Sequence, residues 1–170
     1  ELSTKDPIKD RKTEVLGKIS FLVGNTNFTL TAVADRIDIM KNGNLLIIDY
    51  KTGTIPSGKE VEAGFSPQLP LEAVIASNGG FSNIKQSNSI QLEYWRVRGG
   101  NNPGEVVRPS ENIVKLQEDA LKGLKHLVKI YQDKETPYPS RPNPSYAPQY
   151  SDYEHLARVR EWSTFAKRSK

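Results

Sequence analysis

Asp49 and Lys51 flank Tyr50 at the end of an apolar run, Leu45-Leu46-Ile47-Ile48. Side chains alternate along a strand, so Asp49 and Lys51 share a face with Leu45 and Ile47. A carboxylate on a face that otherwise selects aliphatics is costly unless it is paired or bound to a cation. A second apolar segment upstream carries another acid, in Ala34-Asp35-Arg36-Ile37-Asp38. Two carboxylates and one ammonium group brought together by a hairpin fit metal-assisted hydrolysis of a phosphodiester. Asp35 and Asp49 are the candidate metal ligands, with the Tyr50 carbonyl as a backbone donor. Lys51 is placed to orient a water or to offset charge building on the phosphate.

The register of the hairpin decides whether these groups meet. A two-residue turn, Asn42-Gly43, sets position 35 against position 50 and sends Asp35 to the face opposite Asp49. A three-residue loop, Asn42 to Asn44, sets 35 against 51 and 37 against 49, so that Asp35, Asp49 and Lys51 share a face. Asn44 tolerates the left-handed conformation such a loop needs, and a bulge in either strand has the same effect on parity. The odd-length loop is the expected one.

The elements that must position these groups are legible in outline. Glu1 to Lys12 is charged and without periodicity, and reads as a frayed lead-in or a helix end. Val15 to Val23 and Phe28 to Met40 read as strands around a Gly24–Asn27 turn, and Leu45 to Lys51 as a third strand. Thr52 to Gly58 reads as loop. The next helix is expected with Ser66 as N-cap and Pro67 at its first position, ending at Asn78-Gly79-Gly80. Gln68 and Glu72 then share a face that can cover the site, with the Gln68 amide donating to water or phosphate. Ile90 to Val97 is a further strand and Gly99 to Gly104 a break. Ser110 caps an amphipathic helix with the stripe Ile113, Leu116, Ala120, Leu124, Leu127 and Tyr131. Lys134 to Tyr150, with five prolines, reads as an extended surface segment, and about Tyr153 to Lys167 as a basic C-terminal helix. The order predicts an α/β (α+β) domain, a mixed central sheet flanked by helices, over residues 1–170 as one domain.

Composition bounds the partners. A net charge of +4 over 170 residues permits a polyanionic partner without requiring one. No stretch is long and apolar enough to span a bilayer, so no membrane partner is expected. The absence of cysteine excludes disulfides, thiolate-bound zinc and an iron–sulfur cluster in this chain, and fits a reducing, cytoplasmic setting. The single methionine is Met40, which reads as a piece excised from a larger protein.

Ala34-Asp35-Arg36-Ile37-Asp38, then Asp49-Tyr50-Lys51-Thr52-Gly53, then Gln68 at a helix start resemble the RecB-type branch of the PD-(D/E)xK nuclease superfamily. Ser66 to Ala73, Leu92-Glu93-Tyr94-Trp95 and Tyr153 to Trp162 extend the resemblance to AddB-type C-terminal nuclease domains. The resemblance implies a restriction-endonuclease-like core and a Mg2+- or Mn2+-dependent DNA exonuclease. It also implies a place in a helicase–nuclease that processes broken DNA ends for recombinational repair, with an AddA-like subunit as partner. Asp35, Asp49 and Lys51 match the catalytic core of that family, and Gln68 matches its accessory residue. Two features depart from the pattern: Glu72 stands where a tyrosine is usual, and no cysteines clamp the C-terminal segment. Glu72 and the late start of the chain support an alternative, a catalytically inactive nuclease-fold domain that guides DNA or docks a partner, against which Asp35, Asp49 and Lys51 stand intact. A third reading, an unrelated α/β module binding a structural cation, leaves Gln68 unexplained.

Other residues have blander readings beside the functional ones. Arg36 and Thr52 are candidate DNA contacts, against an ion-paired opposite face that includes Asp38 and a plain turn. Glu14 is a candidate further ligand, against a surface acid. His126 and His155 read as structural, Trp95 and Trp162 as core anchors. The Arg158, Arg160, Lys167, Arg168 and Lys170 cluster either tracks phosphates or is simply solvated.

Overall fold

In a computed structural model, described over residues 7–99 and 104–139, five strands form one sheet in the order β1-β2-β3-β4-β5. β1 spans Ile8–Val23, β2 Thr26–Met40, β3 Leu45–Lys51, β4 Ile90–Val97 and β5 Gly104–Val107. The helices are α1 Gly58–Glu62, α2 Gln68–Ser77 and α3 Ile113–Tyr131. β3 and β4 pair in parallel and the other neighbours antiparallel, so the sheet is mixed, as expected. The parallel pair requires a crossover, which α1 and α2 supply. By internal contacts the chain divides into Glu1–Tyr131 and Gln132–Lys170. The basic C-terminal helix, Trp162 and His155 lie outside the described residues, as does the proline-rich segment beyond Pro139.

β3 is buried on both faces from Leu45 to Asp49, the signature of a central strand with a parallel neighbour. Leu45 and Ile47 join the main core with Ile37, Leu92, Tyr94 and the helical residues Leu69, Ala73 and Ile75. Leu46 and Ile48 form a second cluster with Met40, against which Trp95 packs. α2 buries Leu69, Pro70 and Glu72 to Ala76, which leaves little of its circumference to solvent.

Several boundaries differ from the sequence expectation. β1 begins at Ile8, because Asp10 to Thr13 pair with Arg36 to Ile39; those charged residues are a strand whose side chains reach water, not a frayed lead-in. The first hairpin turns tightly at Gly24-Asn25, with Gly24 at φ +59, so Val23 faces Thr26. α1 lies inside the predicted loop. Ser57 and Glu60 make a reciprocal capping box, with Glu60 N–H to Ser57 Oγ at 3.3 Å and Ser57 N–H to Glu60 Oε2 at 2.7 Å. α2 is capped at Pro67, not Ser66, and without a side-chain bond. α3 is capped by Asn112, whose Oδ1 accepts from Lys115 N–H at 3.0 Å; Ser110 sits two residues earlier, accepting from Asn112 N–H. β5 was not expected, a four-residue edge strand with too little apolar pattern to announce itself. Of the α3 stripe only Leu116 is fully buried, and Leu127 is half exposed.

Candidate functional site

The second hairpin has a three-residue loop, as expected, but placed one residue earlier. Met40 N–H donates to Asn44 O at 2.9 Å, and Gly43, at φ +87, takes the left-handed position assigned to Asn44. Glycine carries no Cβ penalty there, while Asn44 is held by the Asn42 side chain at 2.9 Å. The ladder therefore pairs Ile37 with Ile47 and Arg36 with Ile48, two positions away from the expected register. A shift of two preserves parity. Extended by one residue, this register sets Asp35 against Asp49.

β2 changes phase just before this point. Leu30, Ala32 and Ala34 pack on the main core, and then Ile37 and Ile39 do, so the two-residue alternation slips between Ala34 and Ile37. Opposite, between the pairs Thr13–Arg36 and Val15–Ala34, Glu14 adopts φ +51. Irregularities of this kind re-aim side chains and end pairing. The β2–β3 ladder stops at Arg36 and Ile48, and the Tyr50 N–H beyond it donates to Asp35 Oδ2 at 2.9 Å.

Asp49 is 2 % exposed, and Lys51 Nζ lies 3.0 Å from its Oδ1 and 2.7 Å from its Oδ2. Burial pushes the Asp49 carboxyl above the usual carboxylate range. Lys51 and a bond from Gln68 pull it down, and the nearby Asp35 charge pushes it further up. From α2, Glu72 reaches the same region. It is 2 % exposed, and Gln68 Nε2 donates to its Oε1 at 3.2 Å. Its Oε2 has no hydrogen-bond partner among the described residues. Burial first, then the Asp49 and Asp35 charges, raise the Glu72 pKa to about 7. Tyr94, on β4 opposite Asp49, buries a hydroxyl that also lacks a partner among the described residues. Burial, Asp49 and Glu72 all hold the Tyr94 phenol in its protonated form.

The structure thus brings Asp35, Asp49, Lys51 and Gln68 together and adds Glu72 and Tyr94, whose part the sequence did not assign. The Gln68–Glu72 spacing of four was the one signal that Glu72 faces the same way. Arg36 is elsewhere: it is buried on the opposite face, bonded to Asp38 and donating to the Tyr50 hydroxyl at 3.1 Å. Thr52 and Glu14 are exposed. His126 is exposed on α3, and Trp95 packs on the back-face cluster under the Arg36 guanidinium, 5.0 Å from its ring centre.

Among the described residues no three histidine, cysteine, aspartate or glutamate side chains converge as a ready-made chelate. Asp35 and Asp49, a buried carboxylate and its neighbour with mutually repelling charges, are nevertheless a hard-oxygen pair. That pair fits Mg2+, which keeps several waters and needs only one or two carboxylates from the protein.

A mixed sheet wrapped by helices, with an aspartate pair and a lysine at the ends of its central strands, defines a restriction-endonuclease-like α/β domain. The chain matches the model of the PD-(D/E)XK nuclease superfamily over residues 3–153, and belongs to that superfamily. A stretch of 77 residues, 45% of this chain, is 43% identical to an uncharacterized protein of Rickettsia felis, of which it covers 9%. A stretch of 102 residues, 57% of this chain, is 35% identical to an uncharacterized protein of Rickettsia typhi, of which it covers 12%. The matched part is therefore about a tenth of those relatives' length. The crystal structure of SSO0001 aligns with a TM-score of 0.43 and 14% identity, covering 81% of this chain and 62% of that one. No helix among the described residues is long and apolar enough to cross a membrane.

Proposed function

We propose that this domain is a divalent-metal-dependent deoxyribonuclease, with Asp35 and Asp49 as metal ligands and Lys51 and Gln68 completing the catalytic group. The observation that carries this reading is the buried Asp49 carboxylate, ion-paired with Lys51 and strained by the charge of Asp35 beside it. One ammonium group only partly offsets two neighbouring carboxylates, and a bound cation would relieve the rest. Mg2+ or Mn2+ supplies polarisation of the phosphoryl oxygen and a bound water acidic enough to act near neutral pH.

The chain's own groups then have separable tasks. Asp35 and Asp49 would hold the cation, with the Tyr50 carbonyl as an available third oxygen. Lys51, ion-paired with Asp49 here, would set its ammonium where negative charge grows on the phosphate. Gln68 presents an amide from the first turn of α2, held by Glu72 so that it donates into the site. Tyr94 and the surrounding aliphatics keep water from the back of the pocket.

The resemblance to AddB-type domains supports a finer reading, an exonuclease domain within a helicase–nuclease that processes DNA breaks beside an AddA-like subunit. Incubating the protein with linear single-stranded DNA and Mg2+ or Mn2+ tests the activity. Degradation by the wild type that is lost in Asp49→Asn and Lys51→Ala supports the nuclease reading. DNA binding without cleavage by the wild type defeats it in favour of the DNA-guiding module. Co-purification of the full-length protein with a helicase subunit tests the assembly.

A further inference from the structure

The back face of the sheet, directly behind the catalytic group, carries a polar and aromatic cluster that the chemistry does not use. Asp38 is 1 % exposed and is gripped by Arg36, through Nε at 2.9 Å and through Nη2, and by Arg11 Nε at 2.8 Å. The same Arg36 donates Nη1 to the Tyr50 hydroxyl and lies over the Trp95 ring. The Tyr50 and Trp95 rings meet edge to face at 6.1 Å. Trp95 Nε1 in turn donates to Glu93 at 2.8 Å, and Glu93 accepts from Arg108 at 2.9 Å. This chain of contacts fixes one side chain in particular, Tyr50, which stands between Asp49 and Lys51 in the sequence and whose backbone N–H holds Asp35.

We propose that Tyr50 is a positioning residue: braced behind the sheet by Arg36 and Trp95, it holds the β2-facing side of the β3 end, where its N–H keeps Asp35 beside Asp49. The physical argument is one of missing constraint. The β2–β3 ladder ends at Arg36 and Ile48, so no backbone pairing between β2 and β3 sets Asp35 against Asp49. On its other side β3 stays paired with β4 as far as Lys51–Arg96, so it is the β2 side, where Asp35 sits, that lacks a ladder, and Tyr50 is 40 % exposed. Here the side chain is anchored at its ring and at its hydroxyl, and both anchors lie on strands that flank β3. Strand alternation makes this possible: a residue whose neighbours point into the site must itself point to the back. Arg36 is suited to the task because a planar guanidinium can pair with a carboxylate, donate to a hydroxyl and stack on an indole at once. The inference rests on the nuclease reading and assigns a role to the residue between its two motif positions.

The test uses the full chain, with amide hydrogen exchange at residue 50, Mn2+ binding and nuclease kinetics measured on the same samples. The residue 50 amide is expected to be protected in the wild type and to exchange about tenfold faster or more in Tyr50→Ala and in Asp35→Asn. Tyr50→Ala is expected to lower kcat and weaken Mn2+ binding by about 10-fold or more, with KM for single-stranded DNA nearly unchanged. Tyr50→Phe keeps the ring on Trp95 but loses the Arg36 bond; it folds as the wild type does and falls between the two. Protection and kcat both unchanged in Tyr50→Ala overturn the inference. So does a rise in KM with kcat intact, which would make Tyr50 a DNA contact. A wild type that neither binds Mn2+ nor cuts DNA defeats the nuclease reading and this inference with it. An active wild type with an indifferent Tyr50→Ala defeats this inference alone.

Discussion

Gln68 Nε2 donates to Glu72 Oε1 across one turn of α2, while Glu72 Oε2, buried within reach of the Asp49 and Asp35 charges, has no hydrogen-bond partner among the described residues. A carboxyl so placed resists ionisation, and its pKa of about 7 stands well above the ordinary 4.5. Between those values the folded chain keeps a proton that the unfolded chain has released. Stability therefore falls as pH rises through that window, by about 3 kcal/mol at most for this group. Asp49, also raised by burial, adds a slope of the same sign. Glu72→Gln is expected to flatten the dependence, so urea unfolding without divalent cations at about pH 5 and about pH 8 should differ much less than in the wild type.

The same logic separates activity from stability at Asp49. Its carboxylate is held in a site that disfavours charge, so Asp49→Asn is expected to stabilise the cation-free fold above neutral pH. The substitution removes a metal ligand, and DNA cleavage should drop by about 100-fold or more. Thermal unfolding and a cleavage assay on the same variant check both halves.

Asp38 is the opposite case. Burial raises its pKa, but the bonds from Arg36 and Arg11 outweigh it and hold the carboxyl below the usual range. Its contribution is present above the ordinary carboxylate pKa and is lost as pH falls through the lowered value. Asp38→Ala leaves the buried Arg36 without its carboxylate and is expected to cost about 3–5 kcal/mol. Denaturant unfolding at neutral pH measures it.

Two glycines should respond in opposite directions to alanine. A Cβ on Gly80 would sit 2.5 Å from the Lys18 carbonyl oxygen, where the segment after α2 closes against β1. Backbone cannot yield cheaply, so Gly80→Ala is expected to destabilise by about 1–3 kcal/mol. Gly123, within α3, has open space around its missing Cβ. Gly123→Ala is expected to stabilise by about 1 kcal/mol. Paired melting curves decide both.

Much of this was written in the chain. The Leu45 to Ile48 run reads as a strand, and Asp49 and Lys51 follow it onto the core face because strand side chains alternate. The position of Gln68 and the stop at Asn78-Gly79-Gly80 came from turn and helix-end chemistry that is local. The odd loop length was also legible, although Gly43 rather than Asn44 took the left-handed position, since the absence of a Cβ outweighs the milder tolerance of asparagine. α1 is legible too, in the Ser57 and Glu60 pair, although five residues are short enough to read as loop.

What tertiary structure alone decided depends on partners distant in sequence. Whether Asp10 to Thr13 formed a strand depended on β2 being there to pair with them. The phase slip between Ala34 and Ile37 and the positive φ of Glu14 follow from the packing of the whole hairpin against α2 and β3, and no local preference encodes them. Glu72 reads as an ordinary helix glutamate until the fold removes its water and sets two aspartates nearby. The sequence chose which groups carry charge; burial and juxtaposition, properties of the folded chain only, decided what that charge costs and hence what it can do.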